Sequence, residues 1–280
     1  MASGRWITPS AELVRTVGLL HLMPIRLKLI CSLVLAASSA AMAATQPSCD
    51  KPVYLTFDTG HMGVAPLIAD VLKREQVHVT FFAANEATKT GGTSLDAEWA
   101  PWWKARAAEG HEFASHTYDH VYWRGDVVAG KDVSFKVKPS AGPRKDEQFV
   151  MTSTQYCEEI GRSEERLRAM TGKEPLPLFR APGGKTSPRL LAAAKACGYA
   201  HVGWAPAGFL GDELPSEKYS NQRLLDQALS NIRKGDILLA HLGIWSRQDP
   251  WAPAVLEPLI KGLKERGFCF RTLREHPDYA

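Results

Sequence analysis

Apolar and polar positions along the chain alternate between short β-rich runs and amphipathic stretches. Val53-Tyr54-Leu55-Thr56-Phe57 is one such run; it ends in Asp58-Thr59-Gly60, the pattern of a buried strand delivering a carboxylate to the rim of a sheet. The next stretch, Val64 to Lys73, places its apolar residues at helical spacing, and His78 to Ala84 returns to β-formers. Asp96 to Glu109 reads as a helix and Glu112 to Thr117 as a strand. Gly110, Gly198, Gly235 and Gly267 each precede a β-rich run, which marks four places where a helix ends and a strand begins. Ser187-Pro188 is the complementary start signal, an N-cap followed by proline in the first turn. About seven strands alternating with helices predict a mostly parallel sheet, closed as a barrel or left open and doubly wound. The barrel is the form expected here. Only Trp123 to Phe149 breaks the rhythm; its scattered Lys, Gly and Pro predict a long loop near the mouth of the site.

The 280 residues, 45% of them hydrophobic, suffice for one large core, and no repeat or linker divides them. Near the start, Arg26 and Lys28 precede an apolar stretch, Leu29 to Ala37, that runs into Ala41-Met42-Ala43. That order predicts a signal peptide over residues 1–43 and a single domain over 44–280, hence a periplasmic or secreted protein, with Met23 as an alternative start and an uncleaved anchor as the competing reading. No later run is long enough to span a membrane. Loss of the leader removes Arg5, Arg15, Arg26 and Lys28 against Glu12, so the formal charge of +4 falls to +1. A basic surface for nucleic acid is therefore not expected. Four cysteines remain beyond the leader, which allows three pairings. Cys157 with Cys197 and Cys49 with Cys269 are favoured, because the first two fall on helices flanking one strand and the others on the first and last strands. Four free buried thiols are the alternative.

Candidate chemistry gathers at the expected strand ends. His116 and His120 are four residues apart, a spacing that suits chelation of one divalent ion and is also common among unrelated surface residues. His241 closes the apolar run Ile237 to Ala240 and would serve as a proton donor if it shares a rim with Asp58; alone it reads as a structural residue. Arg180, before the rigid turn at Pro182, could hold a carboxylate in place, or could form a purely structural ion pair. Trp99, Trp102 and Trp103 read as packing residues, whereas Trp245 and Trp251 follow the His241 strand and are candidates for a sugar platform.

In this order, Thr56 to Gly60, His116 to His120, Arg180 to Gly183, Val202-Gly203-Trp204 and Leu238 to His241 resemble the five motifs of the NodB-type polysaccharide deacetylases, carbohydrate esterase family 4, over residues 51 to 275. The resemblance implies a deformed (β/α) barrel and a metal-assisted hydrolase acting on an N-acetylated glycan, expected to work as a monomer. It implies Asp58 as general base, His241 as general acid and Arg180 as the residue orienting Asp58. His116 and His120 would be metal ligands, Pro182 and Gly183 would line the substrate groove, and Trp204 would wall the acetyl pocket. The ion implied is zinc, with cobalt or manganese as alternatives.

The sequence also departs from the pattern. The family's second aspartate, its third metal ligand, is replaced by Thr59, a neutral and poorer ligand that would lower metal affinity or draw Asp58 into coordination. A neutral residue there is similar to the branch acting on peptidoglycan N-acetylmuramic acid. An aspartate expected after Trp204 is absent from Ala205-Pro206-Ala207, and Gly183 stands where a substrate-lining tyrosine is usual. Two other readings follow from these losses: a metal-poor hydrolase of cyclic amides on the same fold, and a glycan-binding relic without turnover.

Overall fold

The computed structural model describes residues 49–280 except residue 131. The leader expected over residues 1–43 lies outside the described residues. In chain order the elements are β1 (Pro52–Asp58), α1 (Ala65–Arg74), β2 (Thr80–Ala83), α2 (Ala100–Ala108), β3 (Glu112–Ser115), β4 (Val121–Ala129), β5 (Asp132–Pro139), β6 (Phe149–Thr152), α3 (Ser153–Thr171), β7 (Leu178–Phe179), α4 (Pro188–Ala196), β8 (Ala200–His201), α5 (Asn221–Asn231), β9 (Ile237–His241), α6 (Leu256–Glu265) and β10 (Cys269–Phe270).

Among the described residues seven parallel strands form the curled sheet, in the order β10-β1-β2-β3-β7-β8, with β9 also paired to β1. β9 matches β1 from Tyr54↔Ile237 through Asp58↔His241, while β10 meets only Pro52 and Val53. Between β8 and β9 the wall is made by an irregular segment: Ala205 N–H donates to Ile237, Leu210 N–H donates to Leu239, and Phe209 bridges Leu239. A stretch with no strand of its own thus completes the circuit, and the barrel is deformed there.

Local rules place the helices where the pattern put them. Ser187 Oγ accepts from Leu190 N–H at 3.1 Å at the start of α4, and Thr152 with Gln155 forms a reciprocal capping box on α3. The four junction glycines take φ between +81° and +92°; Gly110, Gly198 and Gly267 follow the helix C-caps directly, as a left-handed helix end requires, whereas Gly235 lies in a turn beyond the extended C-cap Ile232 of α5. Between the sheet and its covering helices, Phe57, Phe81 and Phe113 lie on neighbouring strands beside fully buried Trp103, whose indole N–H donates to the Ser94 carbonyl at 2.8 Å. Trp99, Trp102 and Trp103 stack edge to face in that core and are packing residues.

The stretch from Trp123 to Phe149 is not a loop. β4, β5 and β6 form an antiparallel three-stranded sheet, with Phe135 opposite Asp126 on one side and Met151 on the other. The physical reason is a period of two: Val133, Phe135 and Val137 face a core with Tyr156 and Ile160 of α3, while Ser134, Lys136 and Lys138 alternate with them. The polar half of that alternation hides the strand from a reading by composition.

Both favoured disulfides are present, Cys49–Cys269 with 5.9 Å between Cα atoms and Cys157–Cys197 with 6.4 Å. They close segments with sequence separations of 220 and 40 residues; in the chain-entropy picture such closures stabilise by about 5 and about 4 kcal/mol. No helix of the described residues is long and apolar enough to cross a membrane.

Candidate active site

Parallel pairing sets the first two functional groups side by side. Asp58 ends β1 opposite His241 at the end of β9 and opposite Phe82 of β2, so all three register positions fall on one rim. Arg180 follows β7 on the same rim. Its guanidinium is fully buried: Nη1 donates to Asp58 Oδ1 at 2.7 Å, Nε to the Val202 carbonyl at 3.2 Å and Nη2 to the Gly203 carbonyl at 3.3 Å. It also lies 4.1 Å over the Phe82 ring. A buried charge so fully satisfied fixes the carboxylate it holds. Burial works against ionisation of Asp58, but Arg180, His116 and His241 together hold its pKa below the usual carboxylate range.

His116 and His120 are brought together by a strained turn, in which Thr117 has φ +58° and His120 φ +49°. Three hydrogen bonds hold that turn: Thr117 N–H to Ser115 Oγ, Val121 N–H to Thr117 Oγ1 and Asp119 N–H to Glu159 Oε2. The result is two imidazoles with centroids 4.7 Å apart and Nε2 atoms 3.2 Å apart. His116 Nδ1 is 2.9 Å from the Arg180 carbonyl, which can only accept, so His116 carries its proton on Nδ1 and presents a lone pair on Nε2. His120 Nδ1 is 2.5 Å from Ser140 Oγ, a partner able to donate or accept. Burial pushes His120 down to about 4, which keeps it neutral at pH 7.

His241 takes its partner from outside the motifs. Asp212 Oδ1 lies 3.1 Å from His241 Nδ1, and Asp212 Oδ2 accepts the His241 backbone N–H at 2.7 Å. Burial disfavours the imidazolium, but Asp212 outweighs it and pushes His241 up to about 9.

Thr59 lies beside the pair with its hydroxyl committed: it donates to Glu86 Oε2 at 2.6 Å and accepts from Ala84 N–H at 3.1 Å. Glu86 Oε2 also accepts from Gly60 N–H at 2.7 Å. Burial opposes ionisation of Glu86, but His120, the Thr59 hydroxyl, His116 and Gly60 lower its pKa all the same.

These groups surround one hollow of about 150 Å³, reached by Asp58, Glu86, His116, His120 and His241. Its walls include Gly183, Tyr122 and Trp204, while Pro182 is buried behind Gly183. The turn at Gly183-Gly184 slots between two rings. A Cβ on Gly183 would meet Tyr122 at 2.9 Å and one on Gly184 would meet Trp204 at 2.6 Å, and both residues have positive φ. Of the two tryptophans after β9, Trp251 is buried in the core, where it packs with Val255 and Leu256 at the start of α6, and cannot serve as a platform. Trp245 is 66% exposed and sits edge-on to His61.

The structure thus brings together Asp58, His116, His120, Arg180 and His241, with Gly183 and Trp204 on the wall. Among the described residues no three His, Cys, Asp or Glu side chains stand as a complete metal site. The donor set nevertheless suits a divalent ion: two imidazoles from one turn, one with its lone pair fixed by a backbone carbonyl, lie beside the buried carboxylate of Asp58 and the partly buried one of Glu86. Residue patterns alone did not single out Glu86 or Asp212. Glu86 carried a signal, being three residues past β2 and so on the Asp58 rim. Asp212 lies in an irregular segment with none.

The class defined by this fold and rim is that of hydrolases on a deformed (β/α) barrel, with a carboxylate and an imidazole paired at neighbouring strand ends. A polysaccharide deacetylase family model matches residues 45–202, and the chain belongs to that family. It is 27% identical over 225 residues to the peptidoglycan-N-acetylmuramic acid deacetylase PdaA of Bacillus subtilis, covering 80% of this chain and 70% of that protein. A family 4 acetyl xylan esterase from Clostridium thermocellum, solved with a cobalt ion, superposes with a TM-score of 0.60 at 23% identity, covering 80% of this chain and 89% of that one. BA3943 of Bacillus anthracis, described as a CE4 family pseudoenzyme, superposes at 0.58 with 19% identity, covering 81% and 65%.

Proposed function

We propose that this protein is an exported, metal-assisted hydrolase that removes N-acetyl groups from glycans, with peptidoglycan as its polymer and zinc as its ion. The observation that carries the reading is the pairing of Asp58 with His241 across β1 and β9, an ionised carboxylate and a charged imidazole facing one hollow. Kinship with a peptidoglycan deacetylase supports the choice of polymer. The order of charged, apolar and small residues before Ala43 supports export.

In this reading water adds to the acetamide carbonyl, a C–O bond forms and the C–N bond breaks, giving acetate and a free amine. Asp58 takes the proton from the attacking water, held for that task by Arg180. His241, protonated because Asp212 stands behind it, gives a proton to the departing nitrogen. A divalent ion at His116 and His120 would supply Lewis acidity toward the carbonyl oxygen. Trp204 and Leu239, both on the wall, offer apolar contact to the acetyl methyl.

The test is acetate release from purified peptidoglycan and from chitooligosaccharides. Release from either by the wild type, and none by His116→Ala or Asp58→Asn, supports the proposal. Wild-type rates in both variants would place the chemistry elsewhere, and glycan binding with no release under added Zn²⁺, Co²⁺ or Mn²⁺ would leave the binding-relic reading.

A further inference from the structure

We infer that Glu86 completes the metal site of this protein, making with His116 and His120 a set of two imidazoles and one glutamate. The inference rests on the metal-assisted reading above and adds a ligand that none of the five motifs contains.

Three observations carry it. First, two imidazole nitrogens bound tetrahedrally to one zinc at about 2.0–2.1 Å stand about 3.3 Å from each other. The Nε2 atoms of His116 and His120 are already 3.2 Å apart. Second, catalytic zinc sites keep three protein ligands and leave one position open, and two histidines with one glutamate is among the recurring sets. Third, of the three carboxylates on the hollow, Asp58, Glu86 and Glu213, the first two come within 4.0 Å of the histidine pair, and they are held differently. Asp58 Oδ1 is locked in the Arg180 ion pair, and its Oδ2 lies 3.4 Å from His116 Nε2. Glu86 has Oε2 pinned by the Thr59 hydroxyl and Gly60 N–H, leaving Oε1 without a hydrogen bond beside the His120 ring, 4.0 Å from the Nδ1 that meets Ser140, so a turn of this side chain brings it to the Nε2 side. The side chain is 19% exposed, on the wall of the hollow.

A carboxylate with one oxygen anchored by two donors and the other left unpinned in the hollow that holds the two imidazoles is arranged as a second-shell network arranges a ligand. Thr59 then acts as a positioning residue: its hydroxyl spans the gap between β1 and the segment after β2 and aims Glu86. Asp58 stays free as the base. Glu86 comes from a different strand end than Thr59, so the arrangement does not depend on two adjacent acidic residues at the end of β1.

The test measures metal binding apart from turnover. The full chain, stripped by chelator, is titrated with Zn²⁺ against a chromophoric competitor and with Co²⁺ followed by its visible absorption. Glu86→Gln is expected to weaken Zn²⁺ binding by about a hundredfold and to change the Co²⁺ spectrum. Asp58→Asn should stay within a few-fold of wild type. Thr59→Asp placed in the Glu86→Gln background should recover at least tenfold, by supplying a carboxylate next to the same pair. If Glu86→Gln does not fold, Thr59→Val replaces it, with a roughly tenfold loss expected from freeing Oε2. Unchanged Zn²⁺ affinity in Glu86→Gln or Thr59→Val, or a loss confined to Asp58→Asn, overturns the inference while leaving a metal-assisted hydrolase standing. Failure of the wild type to bind either ion overturns both.

Discussion

Two kinds of position furnish the hollow, and they are held by different forces. Asp58 and His241 close parallel strands, and Arg180 follows one directly, so sheet register fixes their backbones; moving any of them means shifting a ladder that runs through the core. His120, Glu86 and Asp212 stand on connecting segments, held by side-chain hydrogen bonds to Ser140, Thr59 and the His241 backbone. Strand ends therefore supply groups whose place in the sequence is tied to the fold, whereas segments can supply a carboxylate from many places. Ala205-Pro206-Ala207 carries no carboxylate, and it is Asp212, further along the same irregular segment, that supports His241.

The sharpest way to break the comparison is at the strand ends. Asp58→Asn removes the base and leaves Arg180 with a neutral partner; acetate release is expected to fall about 10³-fold, with the far-ultraviolet dichroism unchanged. A loss below tenfold would mean that register does not select the catalytic carboxylate. Next comes a segment carboxylate. In the proposed reaction His241 donates only while protonated, so the activity limb is expected to lie below its pKa of about 9 and to decline as pH rises through that value. Asp212→Asn removes the group that raises the pKa, so the limb should move toward the ordinary histidine range. At pH 8 the rate should drop about 30-fold, and by much less at pH 6. An unmoved limb would show that Asp212 only braces the backbone.

A smaller effect is expected at the turn between the two rings. Gly184→Ala puts a Cβ 2.6 Å from Trp204 at a residue with φ +65°, which should cost about 1–3 kcal/mol and lower the melting temperature by several degrees. The smallest belongs to a carboxylate outside the hollow. Burial raises Glu164 to about 7, although Tyr199 donates to it at 2.9 Å. Its folded pKa lies above the unfolded value of about 4.3, so the native state holds the extra proton and stability declines as pH climbs from about 4.3 through 7. Glu164→Gln should remove that decline, raising stability at pH 8 relative to wild type on the order of 2 kcal/mol, as read by thermal melts at pH 5 and 8.

What could be read from residues alone follows the same division. The βα alternation, the carboxylate at Asp58 and the imidazole at His241 were legible because a buried parallel strand is a continuous apolar run whose last residue meets the rim. Both disulfides followed from where the helices and strands lay. The sheet β4-β5-β6 was missed because only alternate residues are apolar and lysines fill the gaps. Asp212 escaped because the segment carrying it pairs with β9 through backbone groups, which leave no side-chain pattern. Trp251 looked like a surface aromatic by its distance from His241, yet the chain turns inward there to cover α6.

The bond between Cys49 and Cys269 clamps the chain beside Pro52, at the opposite end of β1 from Asp58. A strand of seven residues is about 20 Å long, so the covalent staple sits about that far from the carboxylate, and reducing it would loosen the foot of β1 while the rim keeps its register with β9.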